Sequence, residues 1–422
     1  MIGFVGLSHL GIISGVAAAS KGFEVLAYDS RASLISELKN GRLPLVETGL
    51  EAALKETTPR LRFSSDLKDL EACSLVYFSI DIRTDEANQS DLSDLTQLIQ
   101  AALLHLKPGT TLVILSQVTP GFTRTFLETT LSKKLKLFYQ VETLIFGQAW
   151  ERATKPERII VGALDPNSEL PEEYLRFLKK FDCPVLKMRY ESAELAKISI
   201  NLCLVASLSV ANTLSEICES IGADWSEIVP ALRMDKRIGQ HSYLNPGLGI
   251  AGGNLERDLV TVKNLSSIYG AEAGIASAFL ANSTYRRDWV LRVLHEKLFS
   301  RCPKAVVAVW GLAYKPGTNS IKNSPALALI QSLPQVSFQV YDPQSTLPKD
   351  AFSNSSQMKT ALQACSEADA LVVMTGWEEF SKIELKDIET QLKGRLIVDP
   401  WAILNSSKAA AHGFSYSRLG VS

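Results

Sequence analysis

Residues 1–20 read MIGFVGLSHLGIISGVAAAS. A short apolar run, Ile2–Val5, meets the turn Gly6-Leu7-Ser8-His9-Leu10-Gly11, and a helical run from Gly11 to Ser20 follows. Strand, glycine turn and helix in that order open a dinucleotide-binding βαβ unit, where the glycines allow the tight turn and the helix N-terminus faces a diphosphate. Gly6, Ser8, Leu10 and Gly11 are therefore expected at a cofactor. Ser8 stands in place of the middle glycine, so its side chain must point away from the diphosphate or donate to it. Asp29 ends the second β-rich run, Glu24–Tyr28, where a carboxylate accepts from a ribose 2′-hydroxyl and repels a 2′-phosphate. NAD is the expected cofactor, with Arg31 nearby blurring that preference. A tight turn in any α/β protein is the plain alternative, and His9 reads as a surface turn residue.

Outward from this opening, Leu75–Ser79, Thr111–Leu115 and Arg158–Val161 alternate with amphipathic helical stretches, the rhythm of βαβ units and a parallel sheet. From about Glu191 to His295 the strand signals stop and helical periodicity takes over, broken by Pro230 and the Gly247–Gly253 loop. Strand signals resume at Ala305–Trp310, Ser337–Tyr341, Ala370–Met374 and Leu396–Val398. The expected fold is α/β: two Rossmann-like parallel-sheet domains, 1–190 and 298–422, joined by a mostly helical middle domain, 191–297, with a long central helix. The two α/β parts share no defensible sequence repeat.

With 422 residues, 46% of them hydrophobic, the chain can bury more than one core. Its 44 basic and 45 acidic residues give a net charge of -1, so no global field draws it to nucleic acid or an anionic membrane. Six scattered cysteines without a CxxC pair favour a reducing cytosol. The chain opens on a strand, with no basic segment leading into a long apolar one, and no signal peptide is expected. The apolar stretch Leu195–Ile217 is interrupted by Lys197, Asn201 and Glu216, too polar for a lone membrane span. The five histidines are isolated, and no metal site is expected.

The most unusual stretch is Pro246–Asp258, PGLGIAGGNLERD, whose four glycines bring backbone close to something before Asn254 ends the approach. It marks a candidate active site. Glu194, Lys197 and Asn201 recur at i, i+3 and i+7, which stacks them on one helix face; a solvated charged stripe is the ordinary reading.

Further motifs tie these together. Asn40-Gly41-Arg42-Leu43-Pro44, Glu47-Thr48-Gly49-Leu50-Glu51, Ser116-Gln117-Val118, Gly147-Gln148-Ala149, Gly311-Leu312-Ala313-Tyr314-Lys315-Pro316-Gly317-Thr318 and Ile321-Lys322-Asn323-Ser324-Pro325-Ala326 occur in order. By these the chain resembles the UDP-glucose/GDP-mannose dehydrogenase family from Met1 to about Leu404. The resemblance implies an NAD domain, a helical dimer-forming middle and a nucleotide-sugar domain. It sets Lys197 and Asn201 beside the reacting sugar carbon, one to stabilise an oxyanion and the other to hold water or hydroxyl. Asp258 would orient a catalytic water, although a loop carboxylate beside Arg257 equally reads as an ion pair. Glu142 would activate water for hydrolysis, against the plain reading of a strand-end surface carboxylate. Arg237 would reach the partner subunit's substrate. Tyr243, Gly247, Gly249, Arg257 and Lys315 fall at the nucleotide sugar, and Ser116 and Lys322 at the cofactor, with Lys322 a lysine where the family usually has arginine. A cytoplasmic homodimer acting on a UDP-sugar, without nucleic-acid or membrane partners, is the expectation.

One departure stands out. Relatives oxidise a sugar CH2OH in two hydride transfers, the second through a cysteine thioester, and here that cysteine is Asn254. A carboxamide is not a useful nucleophile. Cys203 lies two residues beyond Asn201, about 200° around the helix, and does not replace it. Glu256, Arg257, Ile145 and Phe146 also depart from the family pattern. Three readings follow: an oxidoreductase limited to one hydride transfer, which is preferred; full oxidation through an aldehyde hydrate; and a catalytically silent binder of NAD or nucleotide sugar.

Overall fold

A computed structural model of the protein describes residues 1–85, 87–348 and 351–421. The chain divides into two units, Met1–Ile200 and Asn201–Ser422.

The first unit is built on strands β1 (Ile2–Val5), β2 (Val25–Tyr28), β3 (Leu61–Ser64), β4 (Leu75–Phe78), β7 (Thr111–Ile114), β8 (Lys136–Gln140), β9 (Ile159–Ala163) and β10 (Val185–Arg189). Two short strands, β5 (Arg83–Thr84) and β6 (Ser90–Asp91), form a separate hairpin. The eight-stranded order is β10-β9-β8-β7-β4-β1-β2-β3. Strands β1, β2, β4 and β7 are buried at every position, as a parallel sheet covered on both faces requires. Continuous Val/Ile/Leu/Phe runs answer that demand. The first helix, His9–Ser20, is buried over most of its length because it is apolar all round and packs between the sheet and neighbouring helices. One local feature departs from the sequence reading: β8 pairs antiparallel with β9, so β9 and β10 run against the other six strands.

The long helix, Tyr190–Ile221, follows β10 directly. By length and composition it is the one described helix able to cross a membrane. Its polar residues are nevertheless engaged: Glu194 accepts from the Gly121 and Thr123 amides, and the Asn212 side chain accepts from the Gly247 amide.

The second unit continues with helices Trp225–Met234, Asn254–Tyr269 and Gly274–Arg287. Among the described residues from 190 to 305, the backbone makes no β pairing except an isolated bridge between Asp224 and Val421. Then come β11 (Val306–Trp310), β12 (Ser337–Tyr341), β13 (Ser355–Gln357), β14 (Ala370–Val373), β15 (Leu396–Val398) and β16 (Ser415–Ser417). They form an all-parallel sheet in the order β13-β12-β11-β14-β15-β16.

The two sheets repeat one device that the sequence hides. In each, strand order reverses beside the first strand, between β1 and β4 or between β11 and β14, which is where open α/β sheets bind ligands. A glycine with positive φ leaves each first strand, Gly6 at 92° and Gly311 at 99°. A Cβ on Gly6 would lie 2.0 Å from Ile80 and one on Gly311 2.4 Å from Thr375, so neither position admits a side chain. An aspartate ends each second strand and accepts from the amides beyond that glycine: Asp29 from Leu7, and Asp342 from Leu312 and Ala313. The α/β fold with two Rossmann-like sheets and a helical middle region is thus the fold expected from the sequence.

Candidate active site

The cofactor turn of the first unit is built by close packing. Besides Gly6, a Cβ on Gly11 would meet the Gly6 carbonyl at 1.9 Å, which accounts for both glycines. Ser8 turns away from the turn's mouth: its hydroxyl donates to the Ser79 carbonyl at 3.2 Å and accepts the Asp81 amide at 2.8 Å. The middle position therefore tolerates serine because that side chain is spent on the end of β4. Ser116 is likewise buried, donating to the Ile80 carbonyl at 2.7 Å and so tying the ends of β4 and β7 together rather than offering its hydroxyl to a ligand. Asp29 is 6% exposed at the end of β2. Burial pushes its carboxyl up, but hydrogen bonds from the Arg31 side chain and amide and from the Leu7 amide outweigh that and hold it below the usual carboxylate range. A positive-φ glycine turn, a helix N-terminus and a carboxylate at the end of the second strand together fit a dinucleotide.

Asp81 is a residue sequence reasoning missed. Its carboxyl accepts from the Leu10 amide at the start of the first helix, and desolvation raises it despite the nearby His9 and the Ser8 hydroxyl. His9 is not a surface turn residue. Its Nε2 lies 2.9 Å from Glu47 Oε1, its ring packs on Phe146 at 4.3 Å between centroids, and Glu47 also accepts from the Gly147 and Ala149 amides. Nothing local in the sequence could have signalled a pair 38 residues apart.

Glu142 and Lys197 are brought together, with Nζ 2.7 Å from Oε1 and side chains only 16% and 12% exposed. Glu142 is therefore no surface carboxylate, and its other oxygen accepts the Leu144 amide at 3.0 Å. Nor is the helix face of Glu194 and Lys197 a solvated stripe. Glu194 is fully buried, with desolvation raising its carboxyl against the Thr123 and Gly121 donors, and it joins the long helix to the loop after β7.

In the second unit the glycine loop is shaped by protein neighbours. A Cβ on Gly247 would touch the Trp401 ring at 3.5 Å; on Gly249, the Ser283 carbonyl at 2.4 Å; on Gly252, the Tyr314 ring at 2.6 Å; and on Gly253, the Lys322 chain at 3.0 Å. Gly249, Gly252 and Gly253 also have φ of 75°, 87° and 95°. These contacts place Trp401, Ser283 and Tyr314 at the loop; the sequence singled out neither Trp401 nor Ser283, and Tyr314 only as a member of its motif. Gly253 caps the helix Asn254–Tyr269, and Asn254, exposed, is its first residue.

Asp258 lies within this helix, not in a loop, because the Gly253 cap starts the helix four residues before it, at Asn254. It is 1% exposed; Asn201 Nδ2 donates to one oxygen at 2.5 Å and Arg257 Nε to the other at 3.1 Å. The ion pair and the Asn201 contact thus coexist. Arg257 is itself 5% exposed, its guanidinium turned to Asp258. Arg237 is exposed and paired with Asp235 of its own turn, and Tyr243 is 45% exposed. Lys315 Nζ lies 5.8 Å from the Tyr314 ring centroid, and the Lys322 carbonyl accepts the Gly252 amide at 3.1 Å. Among the described residues no group of His, Cys, Asp and Glu is arranged to hold a metal.

A doubly wound sheet with a dinucleotide turn, a buried carboxylate–lysine pair and a second doubly wound sheet beside a glycine loop define a nucleotide-dependent oxidoreductase. Residues 1–181 match the NAD binding domain of the UDP-glucose/GDP-mannose dehydrogenase family, residues 191–283 its central domain, and residues 308–406 its UDP binding domain. The chain is 27% identical to UDP-glucose 6-dehydrogenase of Rhizobium meliloti (strain 1021), covering 99% of both chains. It is also 27% identical to UDP-glucose 6-dehydrogenase TuaD of Bacillus subtilis (strain 168), covering 99% of this chain and 93% of the other. In fold it is similar to a UDP-glucose dehydrogenase from Pyrobaculum islandicum (TM-score 0.86, 24% identity, 100% and 98% coverage). A UDP-D-ManNAc dehydrogenase from Pyrococcus horikoshii is similar to the same degree (TM-score 0.86, 21% identity, 99% of both chains). The chain belongs to the UDP-glucose/GDP-mannose dehydrogenase family, and is an NAD-dependent dehydrogenase of nucleotide sugars.

Proposed function

We propose that this dehydrogenase carries a UDP-sugar through one hydride transfer, alcohol to carbonyl, and stops there. The observation that carries the proposal is Asn254, which opens the helix Asn254–Tyr269 at the position where the family resemblance calls for a thiol. A carboxamide nitrogen has no lone pair available for attack on an aldehyde, so no covalent adduct forms at residue 254 and the thioester route to a second transfer is closed. Cys73 and Cys365 do not supply the nucleophile. Burial pushes the Cys73 thiol up to about 11 and the Cys365 thiol up to about 12, which keeps both protonated at neutral pH.

NAD, when bound at the first unit's turn, supplies the hydride acceptor. The chain's own residues do the rest. Asp258, fixed on both oxygens by Asn201 and Arg257, is a buried carboxylate suited to take the hydroxyl proton through an oriented water. Lys197 offers an ammonium for the developing oxyanion. We assign Tyr243, Gly247, Gly249 and Lys315 to the nucleotide sugar, Lys322 to phosphate and Arg237 to a partner subunit's substrate, as the resemblance implies. A homodimer is supported by Val210, Leu214, Ile217 and Ile221, which recur along one face of the long helix at 52%, 41%, 48% and 70% exposure. Division into 1–190, 191–297 and 298–422, and a place in the cytosol without membrane or nucleic-acid partners, complete the proposal. The balanced charge and six unpaired cysteines support that location.

The Glu142–Lys197 pair favours one second reading, in which Glu142 deprotonates an aldehyde hydrate and oxidation continues to the acid. Lys197→Ala separates turnover from binding: NADH formation with UDP-sugars falls by about a hundredfold or more, the scale of losing an oxyanion donor, while UDP-sugar affinity measured by calorimetry changes little. Unchanged turnover would contradict the assignment.

A further inference from the structure

The cofactor turn ends in a charge pair, not a lone carboxylate. Asp29 Oδ1 accepts from the Arg31 amide at 3.0 Å and from Arg31 Nε at 2.8 Å. Its Oδ2 accepts from the Leu7 amide at 2.8 Å and from Arg31 Nη2 at 2.9 Å. A carboxylate offers about four lone-pair sites, and these four donors fill them. A ribose 2′-hydroxyl therefore finds no acceptor on Asp29 while Arg31 stays in place.

The guanidinium has the complementary surplus. Nε is spent on Asp29, and Nη2 is spent on Asp29 and on the Leu7 carbonyl at 3.3 Å. Nη1 makes no hydrogen bond among the described residues, and the Arg31 side chain is 60% exposed while the Asp29 side chain is 7% exposed. The guanidinium is thus anchored on its inner edge by the buried ends of β1 and β2 and turns two donors outward. The charge of Asp29, which alone would repel a 2′-phosphate, is cancelled. A planar guanidinium with two outward N–H groups suits a phosphate.

We propose that Arg31 is a specificity-determining residue that lets the ribose end of the cofactor site accept a 2′-phosphate, so that the chain binds NADP as well as NAD. The proposal rests on the cofactor site of the reaction assigned above, but it concerns binding and not turnover. Ser30 and Arg31 are both exposed, so a substitution at Arg31 leaves the core intact.

The test is titration of the full chain with NADH and with NADPH, followed by nicotinamide fluorescence, for wild type and for Arg31→Asn. The wild type is expected to bind NADPH within about tenfold of NADH. Arg31→Asn is expected to weaken NADPH about ten- to a hundredfold, the scale of charge-assisted hydrogen bonds, while NADH holds or tightens as Asp29 regains a free lone pair. An NADPH affinity more than about tenfold below that of NADH in the wild type, or a ratio that Arg31→Asn leaves unchanged, overturns the proposal. A protein that binds both nucleotides yet reduces neither with any UDP-sugar would refute the proposed turnover and leave this assignment standing.

Discussion

Arg257 and Asp258 form an ion pair with side chains 6% and 1% exposed, one turn into the helix that Asn254 opens. Replacing Arg257 by Leu removes the charged partner from one oxygen of the buried carboxylate, while Asn201 Nδ2 stays on the other. Breaking a buried pair by removing one partner costs about 3–5 kcal/mol, because the remaining charge is uncompensated. For a domain of this size each kcal/mol moves Tm by roughly 2–4 °C, so Arg257→Leu is expected to unfold about 6–20 °C below the wild type. Asp258→Asn instead removes the carboxylate charge that faces the buried guanidinium and carries a similar penalty. The double variant Arg257→Leu/Asp258→Asn buries no charge and is expected to recover about 2 kcal/mol or more of the summed single losses. Urea denaturation of the four proteins at pH 7 measures this coupling directly. A coupling below about 0.5 kcal/mol would mean that the two groups are independently solvated, and the geometry on which the Asp258 assignment rests would be wrong.

Restoring the thiol with Asn254→Cys should raise the NADH yield above one per sugar and give an intact-mass adduct of the sugar on the protein; a yield that stays at one would show that more than the thiol is missing. Asp29 sets a pH dependence. Its carboxyl is held below the usual range, so the stability it contributes is fully present above the unfolded value of about 4 and is lost progressively as pH falls from there through the lowered folded value. Arg31→Asn is therefore expected to cost about 1 kcal/mol from pH 5 to 8, discounted for the exposure of Arg31, and progressively less as pH falls below about 4 toward the lowered folded value of Asp29. Urea midpoints from pH 8 downward check it, and a difference that grows rather than shrinks as the solution is acidified below about pH 4 would refute it.

The interior strands were legible because a covered parallel sheet demands continuous apolar runs: β1, β2, β4, β7, β11 and β14 all lie where those runs occur. Most strands that escaped notice lie at sheet edges, and β8, inside the first sheet but only alternately buried, escaped with them. β3, β10, β13 and β16 are partly exposed, and sequences such as SSQ and SYS carry no hydrophobic signal. The antiparallel reversal at β9 is equally silent, since it depends on the path of the connection and not on strand composition. At the site, residue types were readable but pairings were not. Glu142 meets Lys197 and Asn201 meets Asp258 across more than fifty residues of chain. His9 was read as a surface turn residue because Glu47 and Phe146, which enclose it, come from distant loops. The glycines of the 247–253 loop were visible, but their packing against Trp401, Ser283 and Tyr314 was not.

The central claim is that oxidation stops after one hydride transfer because residue 254 is asparagine. Incubating the purified protein with NAD and UDP-glucose, then with a panel of other UDP-sugars, and measuring both NADH per sugar consumed and the mass of the sugar product tests it most directly. The account predicts one NADH per sugar and a carbonyl product two mass units below the substrate. Two NADH per sugar and a uronate would contradict it.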